Sequence, residues 1–143
     1  MHLNRFTDYS VRTLLLVAAN PGRLVQLSEI ADFYDISIDH LRKVVHNLSK
    51  LGYLQTQRGK RGGMCLALPA GQINLGQLIA QVEGRSPLID CSSGCSLTPM
   101  CGLQAVLRQA EAAFYDVLEQ HTLASLMSDK QMQRVLLLPS TNV

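Results

Sequence analysis

The segment that decides the fold is "HLRKVVHNLSKLGYLQTQRGKRGG", residues 40–63. Its first half repeats apolar residues at helical spacing. Leu41, Val44, Val45, Leu48 and Leu51, with Ile38 just ahead, form one stripe, and Asp39, His40, Arg42, Lys43, His46, Asn47 and Lys50 occupy the opposite face. Ser37 is placed to cap that helix and Gly52 to end it. The second half switches to alternation: Tyr53–Gln57 and Met64–Leu68 have the polarity of strands. Between them Gly59, Gly62 and Gly63 permit a turn whose tip carries Arg58, Lys60 and Arg61. A basic helix followed at once by a basic-tipped hairpin is the reading half of a winged helix-turn-helix.

The flanking sequence completes that unit. Upstream, "LSEIADFYDIS" predicts a short helix capped by Ser28 with Ile30, Ala31 and Phe33 on its apolar side, and residues 5–19 predict a helix closed by Asn20-Pro21-Gly22. Downstream, residues 74–83 predict another short helix. Thr98-Pro99 has the form of an N-cap followed by proline at the first helical position, opening a long helix to about His121. Leu103, Leu107, Ala110, Phe114, Val117 and His121 recur along it at alternating spacings of four and three, and Val106 and Leu118 widen the stripe. That rhythm suits helix pairing, and a helix-turn-helix protein generally reads two half-sites as a two-fold pair. The expected fold is mainly α with a small β-hairpin wing. A winged helix-turn-helix occupies 1–84, a cysteine loop 85–101, a dimerisation helix region 99–127 and a tail 128–143, with "PSTNV" loose at its end.

Charge is distributed unevenly over the 143 residues. Residues 1–72 hold nine Lys/Arg against five Asp/Glu, whereas 73–143 hold four against six. Between Asp39 and Glu83 there is no acid at all, yet Arg42, Lys43, Lys50, Arg58, Lys60 and Arg61 fall there. This is the electrostatic footprint expected of a polyanion binder rather than of a merely solvated basic face, and with the winged helix-turn-helix it points to double-stranded DNA. Helix phase assigns Asp39, His40, Lys43 and Asn47 to base edges and Arg42, Lys50, Arg58, Lys60 and Arg61 to the backbone; Ser28 is counted with them as a DNA contact. The apolar runs "TLLLVAA" and "VLLLP" are too short to span a bilayer, and the first residues lack the apolar stretch of a secretion signal, so a cytoplasmic location is expected. No nucleophile is paired with a base, so an enzyme is not expected.

One stretch stands apart: "CSSGCSLTPMC", residues 91–101, gathers Cys91, Cys95 and Cys101, with Cys65 far upstream. Four readings compete for it. A disulfide suits neither a reducing compartment nor three thiols. A nucleophile has no use for two more thiols beside it. Structural zinc usually arrives as paired short spacings. An iron–sulfur cluster is held by thiolates and could take a last ligand from elsewhere, with the amides of Ser92, Ser93, Gly94 and Ser96 facing its sulfurs.

Together "FTDYSVRTLLLVA", "LSEIADFYDIS", the 40–63 segment and the three-cysteine loop resemble the Rrf2 family of winged-helix regulators over roughly residues 1–127, and within it the nitric-oxide-sensing repressors most. The resemblance implies a homodimer with an iron–sulfur cluster in each half. Cys91, Cys95 and Cys101 would be its thiolate ligands, and Asp8 from the other chain would be the fourth ligand of a 4Fe-4S cluster. In the family's 2Fe-2S branch a histidine three residues after the last cysteine ligates. That position is Gln104 here, between Leu103 and Ala105, so 4Fe-4S is favoured over 2Fe-2S. Fewer residues separate Cys91 from Cys95 than the relatives carry there, and Cys65 is extra, read as a small hydrophobe on the second wing strand. The expected function is a DNA-binding repressor released from its operator by nitric oxide. The alternatives are an iron- or redox-sensing regulator of the same family and a zinc-stapled DNA-binding protein without a sensing role.

Overall fold

A computed structural model describes residues 2–85, 87–91, 94–97 and 100–139. Helix α1, Arg5–Ala19, starts at Asn4, whose side chain accepts the Thr7 N–H at 2.8 Å. It drives Leu14, Leu16 and Val17 into the core. Helix α2, Leu27–Tyr34, starts earlier than expected. Gln26, not Ser28, is its N-cap, because the Glu29 carboxylate turns back to accept the Gln26 N–H at 2.7 Å. Ser28 is left exposed in the first turn. Asp35 adopts the left-handed conformation at φ 53°, which turns the chain so that Ile36 is buried.

Helix α3, Ile38–Lys50, is capped as expected by Ser37 Oγ, which accepts the His40 N–H at 3.3 Å. The centre of its stripe, Leu41, Val44 and Leu48, is completely buried, while Ile38 and Leu51 at the ends stay exposed. Each fully buried aliphatic side chain contributes about 1.5–3 kcal/mol, so these three anchor α3 and leave its polar face outward.

The wing is an antiparallel pair, β1 (Leu54–Gln57) and β2 (Gly63–Leu66), registered from Leu54 opposite Leu66 to Gln57 opposite Gly63. Each strand is shorter at one end than the alternation predicted, and a third partner joins them. Val25 and Met64 exchange two backbone hydrogen bonds, of 2.9 and 2.8 Å, fastening the wing to the segment ahead of α2. The approach is close: a Cβ on Gly63 would stand 2.7 Å from the Val25 carbonyl oxygen.

A 3₁₀ turn, Ala70–Gln72, leads to α4, Leu75–Glu83, and then come α5 (Gly102–Glu119), α6 (Leu123–Leu126) and α7 (Lys130–Leu136). The expected cap Thr98-Pro99 lies outside the described residues. The helix itself begins at Gly102 with Cys101 as N-cap and ends before His121, whose carbonyl accepts the Leu75 N–H at 3.0 Å. The Asn74 side-chain amide donates to the Glu119 carbonyl at 2.7 Å, and Gly76 lies so near the Glu119 backbone that a Cβ would come within 2.9 Å of its nitrogen. The carboxyl end of α5 is therefore pinned to the amino end of α4. At 1.5 Å per residue α4 is about 13 Å long and α5 about 27 Å, so half of α5 extends past the helix it packs on.

That geometry explains the burial of α5, none of whose residues is buried. Leu107, Phe114, Tyr115 and Leu118 are half-buried. Leu103, Val106 and Val117 are 58%, 61% and 56% exposed, and Ala110 and Ala113 are exposed between them. The open stripe is thus Leu103, Val106, Ala110, Ala113 and Val117, at spacings of three and four.

The tail from Ser128 does not stand apart from the amino-terminal unit. Asn20, 5% exposed, donates from its amide to the Leu136 carbonyl and accepts the Leu138 N–H, both at 2.8 Å. Of "PSTNV", only Pro139 is described. Among the described residues no helix is long and apolar enough to cross a membrane.

Candidate nucleic-acid interface and cysteine segment

The wing and α3 enclose an open groove of about 800 Å³, floored by Val45 and Met64. Arg42 and His46 line it from α3, Arg58 and Lys60 from the wing, and Ser28 from α2. Among the described residues no carboxylate lines it. A cleft walled by cations from two elements suits one strand of a polyanion.

The structure brings Ser28, Arg42, Arg58 and Lys60 of the expected DNA contacts into this groove. Lys43, Lys50 and Arg61 are exposed outside its lining, and Asn47 is half-buried. Asp39 is exposed and pairs with Arg42 at 2.8 Å. The ring of His40 lies 6.3 Å from that of Tyr9 on α1. Sequence reasoning passed over Gln26, His46, Ser49, Thr56 and Gln57, which also line the groove. The signal for part of this set was present: Arg42, Val45, His46 and Ser49 follow one another at i, i+3, i+4 and i+7, marking the edge of α3 that borders the hairpin.

The cysteine segment lies outside this groove's lining. Cys91 and Cys101 are half-buried, Cys95 is exposed, and Cys65 is half-buried on β2. Among the described residues no three His, Cys, Asp or Glu side chains gather closely enough to hold a metal ion, so Cys91, Cys95, Cys101 and Asp8 are not brought together within one chain. Ser92 and Ser93, expected to lend backbone amides, lie outside the described residues. Asp8 instead pairs with Arg12, one turn on, at 2.9 Å. This hydrogen bond raises the pKa of Arg12. The same guanidinium stands 5.7 Å above the ring of Tyr34, at the end of α2. Burial pushes the Tyr34 hydroxyl up to about 12, against the opposing pull of Arg12.

The cysteine segment leaves α4 directly after Glu83, and Glu83 is tied to α1. Its carboxylate accepts the Asn4 N–H, at 3.2 Å from each oxygen, and the hydroxyl of the fully buried Thr7. Unsatisfied donors at a helix start attract a carboxylate, and this one sits on the neighbouring element instead of on α1 itself. Nothing in the local sequence pattern marks Glu83 for that role.

The model of the Rrf2 family, described as iron-dependent transcriptional regulators, matches residues 3–129. The chain belongs to the Rrf2 family. It is 42% identical over 142 residues to the HTH-type transcriptional regulator NsrR of Bacillus licheniformis, covering 96% of this chain and 99% of that one. It is 41% identical over 142 residues to NsrR of Shouchella clausii, covering 96% and 95%. Among solved structures, CymR, the global cysteine regulator of B. subtilis, superposes with a TM-score of 0.74 at 21% identity, over 90% of this chain and 97% of that one, a likeness of fold. This Rrf2 protein is a transcriptional regulator and not an enzyme.

The groove generates one prediction. Lys60→Ala is expected to weaken binding to every duplex by a similar factor and to lower the slope of log affinity against log salt by about one. Fluorescence anisotropy over a salt series, on operator and unrelated DNA, measures both. A loss confined to one sequence would place Lys60 on a base edge instead.

Proposed function

We propose that this Rrf2 regulator is a homodimeric, cytoplasmic DNA-binding repressor that senses nitric oxide through an iron–sulfur cluster, 4Fe-4S in type. Cys91, Cys95 and Cys101 would hold the cluster, with Asp8 of the second copy as the remaining ligand. The observation that supports this reading is three thiols within eleven residues of sequence, on a segment that begins at a residue bonded to α1. The donor chemistry fits. The thiols are soft ligands, and Cys101, as N-cap of an 18-residue helix, sits where the helix dipole favours a thiolate. When bound, the cluster supplies an iron centre that reacts with nitric oxide.

The chain's own residues account for the rest. In this reading Asp39, His40, Lys43 and Asn47 of α3 reach base edges in the major groove, while Arg42, Lys50, Arg58, Lys60, Arg61 and Ser28 hold the backbone. The open stripe on α5 pairs with that of a second copy. An 18-residue helix with no buried residue, pinned to its own chain at the carboxyl end, leaves that stripe open. Leu97 and Met100, just before α5, extend the exposed apolar surface. Helix α1 links the parts. Glu83 and Thr7 join it to the cysteine segment, Tyr9 meets His40 on α3, and Arg12 covers Tyr34 on α2. A shift of the segment after Gly84 therefore acts on both helices of the helix-turn-helix. Asp8 must leave Arg12 to serve as a ligand in the second copy, so its ion pair is the alternative state of that carboxylate.

The family's description as iron-dependent supports a second reading, in which iron supply is the signal. Purification without oxygen, with iron and acid-labile sulfide analysis and nitric oxide titration, separates the possibilities. The expected result is brown protein containing both elements, depleted of them in Cys91→Ala, Cys95→Ala and Cys101→Ala, and losing operator affinity as nitric oxide is added. Loss of operator binding on iron depletion but not with nitric oxide would favour the second reading. Colourless protein carrying zinc would refute both. For the α5 seam, Val106→Glu is expected to give monomers by analytical ultracentrifugation and to lower operator affinity by about two orders of magnitude, since both half-sites then bind independently. A dimeric variant would show that the seam lies elsewhere.

A further inference from the structure

The carboxyl-terminal segment is bonded to the part of the chain from which the DNA groove is built. Residues 20–29 lie at its centre. The buried Asn20 is bonded on both sides of its amide to the last residue of α7 and to the second residue beyond it, through the Leu136 carbonyl and the Leu138 N–H. Three residues on, Arg23 donates one guanidinium nitrogen to the Pro139 carbonyl at 3.3 Å and the other to Glu29. Arg23 and Glu29 are both mostly buried, at 22% and 18% side-chain exposure, so the pair is not a solvent-screened surface contact. The other oxygen of Glu29 accepts the N–H of Gln26, the residue that starts α2. Between Arg23 and Gln26, Val25 makes the two backbone bonds that hold Met64 of the wing.

Gln26, Ser28 and Met64 all line the groove between α3 and the wing. A continuous set of bonds therefore runs from Leu136–Pro139 through Asn20, Arg23 and Glu29 to two walls of that groove. We infer that the carboxyl-terminal segment is a working part of the DNA-reading head, and that Arg23 and Glu29 are positioning residues that set the spacing between the wing and the start of α2. They act through backbone placement and do not themselves touch DNA. The residues on which this rests are independent of the cysteines and of any cluster, so the inference stands on DNA binding alone.

The deciding variant in the full-length protein is Glu29→Gln. Glutamine can still accept the Gln26 N–H but no longer forms an ion pair with Arg23. If Glu29 mattered only through its charge, removing a negative charge beside a polyanion site would tighten binding. A positioning role predicts the opposite sign: operator affinity falls about five- to tenfold, with the salt slope unchanged because no phosphate contact is lost. Asn20→Ala releases the segment from the other end. It is expected to weaken operator binding by a similar factor and to speed hydrogen exchange at the Val25 and Met64 amides, far from the altered side chain. Operator binding by Glu29→Gln as tight as wild type, or tighter, would overturn the inference. So would slow exchange at Val25 and Met64 in a folded Asn20→Ala protein. Should Asn20→Ala fail to fold, the sign of the Glu29→Gln effect still decides.

Discussion

A single carboxylate ties the start of the cysteine segment to the first turn of α1. Glu83 closes α4, and the next residue, Gly84, takes a positive φ of 76° and opens the cysteine segment. The same carboxylate receives the Asn4 N–H and the Thr7 hydroxyl at the start of α1. Thr7 is fully buried, so its hydroxyl has no water to fall back on. The cysteine segment thus cannot shift at its origin without disturbing the first turn of α1. That turn also holds Asp8, and α1 then carries Tyr9 and Arg12, through which it touches both helices of the helix-turn-helix. Coupling by such a route needs no long wire, because every link is a direct contact between neighbouring elements.

The charged groove and the open face of α5 obey different physics. The groove between α3 and the wing concentrates Arg42, Arg58 and Lys60 without a lining carboxylate, which attracts phosphate whatever the sequence. The open face of α5 is apolar. Helix α5 is twice as long as α4, which it packs against, and its unsupported stripe contains two alanines that let a second backbone approach closely. In the proposed dimer, α5 shared between copies would make the spacing of the two reading heads a property of the pair, and small rotations at α1 would become changes in half-site spacing.

Much of this was legible in the sequence. The change of period between Lys50 and Leu54 marks the junction of reading helix and wing, and the buried centre of α3 follows from it. Periodicity fails where it must report which apolar face is covered and by what. Leu107 and Phe114 share the heptad rhythm with Leu103 and Val117, yet the first two are half-buried in one chain and the others are open. Local propensity also misplaced the start of α2: Ser28 is a good cap in isolation, but Glu29 reaches back to Gln26 and moves the start upstream. The tail's partners, Asn20 and Arg23, lie more than a hundred residues away in sequence, beyond the reach of any local pattern. For the same reason no short motif exposes Glu83. Asp8 entered through family resemblance, and its ion pair with Arg12 is visible only in the fold.

The central claim is that the state of the cysteine segment reaches the reading helices through Glu83 and α1. The most direct measurement is the ratio of operator affinities of cluster-loaded and cluster-free protein, prepared without oxygen, for wild type and Glu83→Ala. The account predicts a large ratio in wild type and a ratio near one in Glu83→Ala, with iron and sulfide content unchanged between the two loaded proteins. A Glu83→Ala protein that kept the wild-type ratio would contradict it.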